Sequence, residues 1–470
     1  MFQLPRISRV AVIGAGPGGL AAARALREEG AFDTITVFER NAKVGGTWYV
    51  KQRKIEKKNF IIFCLYRLYS EKPNFPPPLP SVNAIDVDPP NQPALQHPPV
   101  SAIYDNLHTN LTKDVMAYRD IPFPKNYPLF PTRTQVLDYI QDTAEQYDLL
   151  SMIRFNTTVV RAEPVDDNDR QKKWQVSVTE WRDNKVTNYT ESYDAVVVAS
   201  GHYYVPYLPD VEGLPEFASI AKVIHSRDYR RPEDYGSKTV LVVGNGSSSA
   251  DMVREISTTA TKVYHCVRGD DTSFSRTVAE NMPANAERIG ALGRFSASAG
   301  MVECQDGKQI QGVDTVIFAT GYLYSFPFLP FEQGNLIVDG QKVLGLYEYM
   351  FYINNPTLTF VGLPIRVVPM PMMQLQSTVI ARCYSGRIML PSLETMQETI
   401  KDETNSRKEL VMGVQSELGY VDRIGAWAEG YRGDSIEDWK SSDPVTGRLS
   451  EEWRENRVNS LELRRKYLGY

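Results

Sequence analysis

The chain has 470 residues, 42% of them hydrophobic and 23% charged, with a formal net charge of -5. That length exceeds one ordinary core and predicts two compact units, or one unit interrupted by another. The charge gives no broad attraction to phosphate backbones or anionic lipid, so nucleic acid is excluded as an expected partner.

The N-terminus enters an apolar, strand-like run at Val10 to Ile13 within ten residues. No room is left there for a secretion signal, and a cytoplasmic location is the expectation. The run is followed by GAGPGG, with Gly14, Gly16 and Gly19, and then by a helical pattern from Leu20 to Glu29. Glycines in this context let the backbone turn tightly against a pyrophosphate, and the helix N-terminus supplies N–H groups and partial positive charge. Glu39 closes the next strand, ITVFE, twenty residues past Gly19. A carboxylate there accepts hydrogen bonds from both ribose hydroxyls.

Residues 51–69 form a basic and then apolar segment, read as a surface insertion, and residues 73–99 form a proline-rich loop. The apolar stretch Phe60 to Leu65 is far short of the roughly 20 residues of a membrane-spanning helix. Three further strand-like runs lie at Val196 to Ala199, Val240 to Val243 and Val316 to Ala319. Continuous small and β-branched runs of this kind are the pattern of buried parallel strands.

The third of the four runs opens a second turn, GNGSSSAD, with Gly244 and Gly246 and with Ser247 and Ser248 leading into a helix through Ile256. Serine replaces the third glycine. The following strand ends in Arg268 and carries no acid where the first turn has Glu39. A guanidinium binds a 2′-phosphate that a carboxylate would repel, so NADP rather than NAD is expected. Cys64, Cys266, Cys304 and Cys383 contain no CxxC pair, which argues against a zinc ribbon and a redox dithiol and for buried free thiols. The C-terminal part, from Glu394, is rich in charge and reads as solvated helix faces.

Two dinucleotide turns of opposite ribose preference suggest a resident flavin and a visiting nicotinamide, with oxygen as the electron acceptor. The motifs then resemble the flavin-containing monooxygenase family, especially its shorter fungal members. The resemblance rests on GAGPGG with Glu39, on GGTW from Gly45 to Trp48, on TNL around Asn110, and on ASGH from Ala199 to His202. It also rests on GNGSSSAD, on ATGY from Ala319 to Tyr322, and on IHSRDY, where His225 and Tyr229 match part of a family fingerprint. The glycine of that fingerprint is Ala221 here, and the nearest phenylalanine, Phe217, comes two positions early.

The resemblance implies an α/β chain with two Rossmann-like domains. The NADP domain, residues 207–315, is inserted into a discontinuous FAD domain of residues 1–206 and 316–470. It implies FAD held by Gly14, Gly16, Gly19, Glu39, Arg40, Gly46, Trp48, Val159, Thr320 and Gly321. NADPH falls to Gly244, Gly246, Ser247, Ser248, Arg268, His225 and Tyr229, and Asn110 stands beside the flavin as the catalytic amide. The implied reaction uses NADPH and O2 to oxygenate a small nucleophilic nitrogen or sulfur compound through a flavin 4a-hydroperoxide. An NADPH oxidase releasing peroxide, a Baeyer–Villiger or N-hydroxylating oxygenase, and a flavoprotein without turnover are the alternatives. Tyr229, where Baeyer–Villiger enzymes usually carry tryptophan, favours a heteroatom oxygenase. The substrate and the assembly state, a homodimer included, are left open.

Overall fold

The computed structural model describes residues 2–50, 101–166, 172–183, 185–269, 273–330, 336–431 and 435–468. The expected insertion at 51–69, the proline-rich loop at 73–99 and Cys64 lie outside the described residues.

The first sheet begins with β1 (Arg9–Ile13), α1 (Pro17–Glu29) and β2 (Thr34–Phe38). Proline at the first turn of α1 lacks only a donor that the helix would leave unpaired, and Gly30 ends the helix at φ 68°. Helix α2 (Arg133–Gln146) starts with a reciprocal capping box between Thr132 and Gln135, and β3 (Ile153–Arg154) follows it onto the sheet edge. A three-stranded antiparallel meander comes next, formed by β4 (Thr157–Asp166), β5 (Lys172–Arg182) and β6 (Lys185–Tyr193). The chain then returns through the sheet centre as β7 (Ala195–Val198).

After β8 (Val205–Pro206) the chain builds a second, all-parallel sheet. Its members are β9 (Lys222–His225), β10 (Thr239–Val243) with α3 (Ser247–Ile256), β11 (Lys262–Cys266) and β12 (Ala286–Ile289). A small meander of β13 (Leu292–Ser296), β14 (Met301–Cys304) and β15 (Gln309–Gln311) precedes β16 (Thr315–Phe318). The order is β12-β11-β10-β16-β9. Strand β16 therefore lies inside the second sheet, between β10 and β9. The expected boundary at 315/316 cuts through this strand, and the chain leaves the second sheet only after Phe318.

The return crossing, β17 (Tyr322–Leu323), pairs antiparallel with the outgoing β8. The chain then adds β18 (Leu346–Tyr347), β19 (Phe351–Tyr352) and β20 (Leu358–Phe360) to the first sheet, whose order is β18-β19-β20-β7-β1-β2-β3. Helices α4 (Pro369–Tyr384), α5 (Gly413–Ala428), α6 (Glu451–Val458) and α7 (Ser460–Leu468) complete the chain. Helices α1, α2 and α4 cover one face of the first sheet around Val12, Leu20, Val197 and Leu375. The large meander covers the other face around Trp174, Val176 and Phe360. Both faces are dry, which is why β1 and β7 read as unbroken apolar runs.

The C-terminal charges are not all solvated. Glu417, Asp422, Arg457 and Arg464 are buried. Arg457 Nε donates to Glu417 Oε2 at 2.8 Å and Arg454 Nη2 to Asp422 Oδ1 at 2.6 Å. These helices pack against α4 and one another, and their charges are neutralised in pairs instead of by water. Cys266, Cys304 and Cys383 are buried free thiols, as expected. Among the described residues, no helix is long and apolar enough to cross a membrane.

Candidate functional site

Two glycine turns are built to one plan. At the first, Gly14 has φ 102° and its N–H donates to the Phe38 carbonyl at 2.8 Å. A Cβ on Gly14 would stand 2.7 Å from the Ala199 carbonyl oxygen, just past β7. At the second, Gly244 has φ 148°, donates to the Cys266 carbonyl at 3.0 Å, and leaves 2.4 Å between a would-be Cβ and the Ala319 carbonyl oxygen. In each sheet, the residue just past the strand that leads toward the other domain presses its carbonyl against the turn. ASGH and ATGY thus do the same job on opposite crossings.

The third position differs for a visible reason. A Cβ on Gly19 would fall 1.8 Å from the Gly14 carbonyl oxygen, so no side chain fits. Ser249, its counterpart, is fully buried, and its Oγ accepts from the Gly246 N–H at 3.1 Å and donates to the Gly246 carbonyl at 2.8 Å. The serine stitches the looser second turn closed.

GGTW packs onto the first turn. Gly45 N–H donates to the Ala15 carbonyl at 3.1 Å, and Gly46, with φ 55°, leaves 2.8 Å between a would-be Cβ and Gly16 Cα. Backbone without side chains on both walls makes a cradle that a phosphate can enter and a Cβ would fill. Glu39 is buried beside it. Its Oε2 accepts from Ala15 N–H at 2.7 Å, and its Oε1 accepts from the backbone and side-chain nitrogens of Asn41, both at 2.8 Å. Three of about four acceptor positions of a carboxylate are used, which leaves Oε2 able to accept from a ribose hydroxyl. Arg40 is exposed, its guanidinium 4.9 Å from the Tyr204 ring centre. Trp48 is half-buried against the first core. Val159 is buried on β4, at a register shift that loosens the ladder between Val159 and Arg161. The cradle and the acid fit a flavin adenine dinucleotide.

Other expected residues are held by contacts within the protein. Thr320 and Gly321 belong to the paired crossing: Thr320 Oγ1 donates to the Tyr207 carbonyl and the Gly321 carbonyl accepts from Tyr207 N–H at 2.9 Å. Their neighbour Ala319 borders the second turn, not the first. Tyr229 is fully buried between Tyr104 and Tyr235, and its hydroxyl donates to Glu255 on α3 at 2.7 Å. Its ring and hydroxyl thus face Tyr104, Tyr235 and Glu255, and it braces α3.

His225 is likewise fully buried at the end of β9, where its Nδ1 accepts from Arg227 N–H at 3.1 Å and its ring meets Tyr322 edge-on. Burial, and after it the charge of Arg227, pulls its pKa down to about 3. Both imidazole nitrogens of His202 are buried and have no hydrogen-bond partner among the described residues, and burial, then Arg407, lowers its pKa to about 4. Both rings are neutral and belong to the crossing. Arg268 is exposed past the end of β11, and Ser248 is exposed on the first turn of α3.

Asn110 is exposed, and its Nδ2 donates to Ser247 Oγ at 3.4 Å, the first residue of α3. The segment that carries it was not legible beforehand. Ser101 Oγ donates to the Thr47 carbonyl in GGTW, and Tyr104 Oη donates to Asp251 on α3 at 2.6 Å. Residues 101–110 thus form a strap from the first cradle to the second helix, with Asn110 at the seam. Two more residues were missed. Asp251 sat unassigned in the GNGSSSAD string, and Arg464 of α7, read as solvated, donates to both Ser247 Oγ and Asp251 Oδ1 at 3.0 Å. No local pattern could have announced Arg464.

The comparisons with known proteins agree with this geometry. The family model described as flavin-binding monooxygenase-like matches residues 97–295 and 290–429, and a model of an NAD(P)-binding Rossmann-like domain matches residues 12–65. The chain is 38% identical to the Flavin-containing monooxygenase FMO GS-OX-like 4 of Arabidopsis thaliana over 84% of this chain and 80% of that protein. It is 29% identical to the Flavin-containing monooxygenase ustF2 of Aspergillus flavus over 87% of both. The solved S-allyl-L-cysteine S-oxygenase from Allium sativum superposes with a TM-score of 0.73 at 27% identity, covering 99% of this chain and 94% of that one. With two matched glycine cradles, an acid on the first and a basic residue after the second, this chain belongs to the flavin-containing monooxygenase family, an FAD-dependent monooxygenase that uses NADPH.

Proposed function

We propose that this enzyme uses NADPH and O2 to oxygenate a nucleophilic sulfur, or a comparable nitrogen, of a small molecule. The observation that carries the reading is the strap. It brings the Asn110 amide to the start of the second nucleotide helix while its other end is bonded to the first cradle. Sulfur is placed first because of the likeness to the garlic S-oxygenase along nearly the whole chain.

In this reading Gly14, Gly16, Gly19 and Gly46 take the FAD pyrophosphate, Glu39 takes the ribose, and Arg40, Trp48 and the Val159 backbone border the rest of that nucleotide. The second nucleotide falls to Gly244, Gly246, Ser247 and Ser248, with Arg268 on the 2′-phosphate. Residues 207–318 form the NADP domain. Bound flavin supplies the oxygen-activating chemistry. The protein's own part is to orient the two nucleotides, exclude water, and offer at Asn110 one group that both donates and accepts. No acid–base residue is required of the neutral, buried His202 and His225.

The test is the balance of NADPH consumed, sulfoxide or N-oxide formed and peroxide released, measured with a panel of small sulfides, thiols and amines. Product matching NADPH with one compound class supports the reading and selects sulfur or nitrogen. Peroxide matching NADPH with every compound replaces it with an oxidase.

A further inference from the structure

The second turn meets its nucleotide with backbone and hydroxyl groups, yet one guanidinium is built into its floor. Arg464 comes from α7, the last helix described, and 4% of its side chain is exposed. Its Nη2 is held by Asp251 Oδ1 at 3.0 Å, and Asp251 is fixed in turn by the Tyr104 hydroxyl at 2.6 Å. That grip orients the fork so that Nη1 donates to Ser247 Oγ at 3.0 Å. Ser247 opens α3, where the first N–H groups of a helix lack intrahelical partners and phosphates are received. Asn110 donates to the same oxygen.

Salt bridges on a solvated surface contribute little, but this cation is enclosed, pre-oriented by a carboxylate, and aimed at the first hydroxyl of an anion-receiving turn. We infer that Arg464 is a pyrophosphate-binding residue of the NADPH site, delivered to it by the C-terminal helix, with Asp251 and Tyr104 as the residues that position it. The inference deepens the reading of the second turn and rests on it. Three distant segments, the strap, α3 and α7, must be docked together before the cation is in place. Nucleotide affinity thereby depends on the C-terminal helix being seated.

The experiment uses the full-length, FAD-loaded protein and titrates it with NADP⁺ and with adenosine 2′-monophosphate, which keeps the adenine and the 2′-phosphate but lacks the pyrophosphate. Unchanged protein must bind NADP⁺, and failure there would remove the nucleotide reading itself. Arg464→Met is expected to weaken NADP⁺ binding about 10- to 100-fold, the loss of one charge-assisted hydrogen bond. Adenosine 2′-monophosphate should bind as before, and the salt dependence of the NADP⁺ dissociation constant should flatten. Arg464→Lys, which keeps the charge and loses the fork, should lie between, and it serves alone if the methionine variant loses its FAD or its melting transition. Unchanged NADP⁺ affinity in the variants overturns the inference. Equal weakening of both ligands also overturns it, because that marks a purely structural contact.

Discussion

Alanine at Gly244 separates the two nucleotides. The backbone there has φ 148°, a region that side-chain-bearing residues rarely enter, and the new Cβ would lie 2.4 Å from the Ala319 carbonyl oxygen. Strain of this kind costs about 1–3 kcal/mol, and it is relieved only if the turn or the crossing moves. Since 1.4 kcal/mol is a factor of ten, the NADP⁺ dissociation constant should rise about 10- to 100-fold. The first cradle rests on different contacts, Gly14 against Ala199 and Gly46 against Gly16, so FAD content should hold. Gly19→Ala is the mirror experiment: its Cβ would overlap the Gly14 carbonyl oxygen at 1.8 Å, and FAD should be lost first. The flavin-to-protein absorbance ratio and calorimetric titration with NADP⁺ read the two effects separately. If Gly244→Ala binds NADP⁺ as tightly as its parent, or sheds FAD in step with NADP⁺, the two-cradle reasoning is wrong.

If Arg268 binds the 2′-phosphate as proposed, Arg268→Ala should raise KM for NADPH about 10- to 100-fold and leave KM for NADH unchanged, because NADH lacks that phosphate. Equal losses with both coenzymes would remove that role. Tyr229→Phe deletes the hydrogen bond to Glu255 and should cost about 1–2 kcal/mol, seen as a lower melting temperature at unchanged NADP⁺ affinity. Weaker binding at an unchanged melting temperature would mean that the ring does face the nucleotide. His202, His225 and His265 are held below their ordinary 6.5 by burial, at about 4, 3 and 4. The unfolded chain binds the extra protons, so their contribution is complete above pH 6.5 and is lost as the pH falls toward 4. His202→Asn should therefore show a shallower fall in melting temperature across that range, and an identical slope would refute the assignment.

The sequence by itself determined the parts that are local in the chain. A strand buried on both faces must be apolar throughout, a turn that touches another carbonyl must be glycine, and an acid one strand later lies beside the first turn. GAGPGG with Glu39 and GNGSSSAD were therefore legible as two tight strand-to-helix turns, the first with an acid beside it, and the motif set was enough to point to the family. The C-terminal charges misled because a charged helix has the same composition whether water or a buried partner neutralises it.

What only the tertiary structure decided is which distant groups meet. The Ala199 and Ala319 carbonyls lock turns that lie far from them in sequence, and β16 joins the second sheet instead of leading out of it. Arg464 reaches Ser247 across 217 residues. Such contacts depend on how sheets and helices dock, and docking is decided by the shape and charge balance of whole surfaces, which no short window of residues carries.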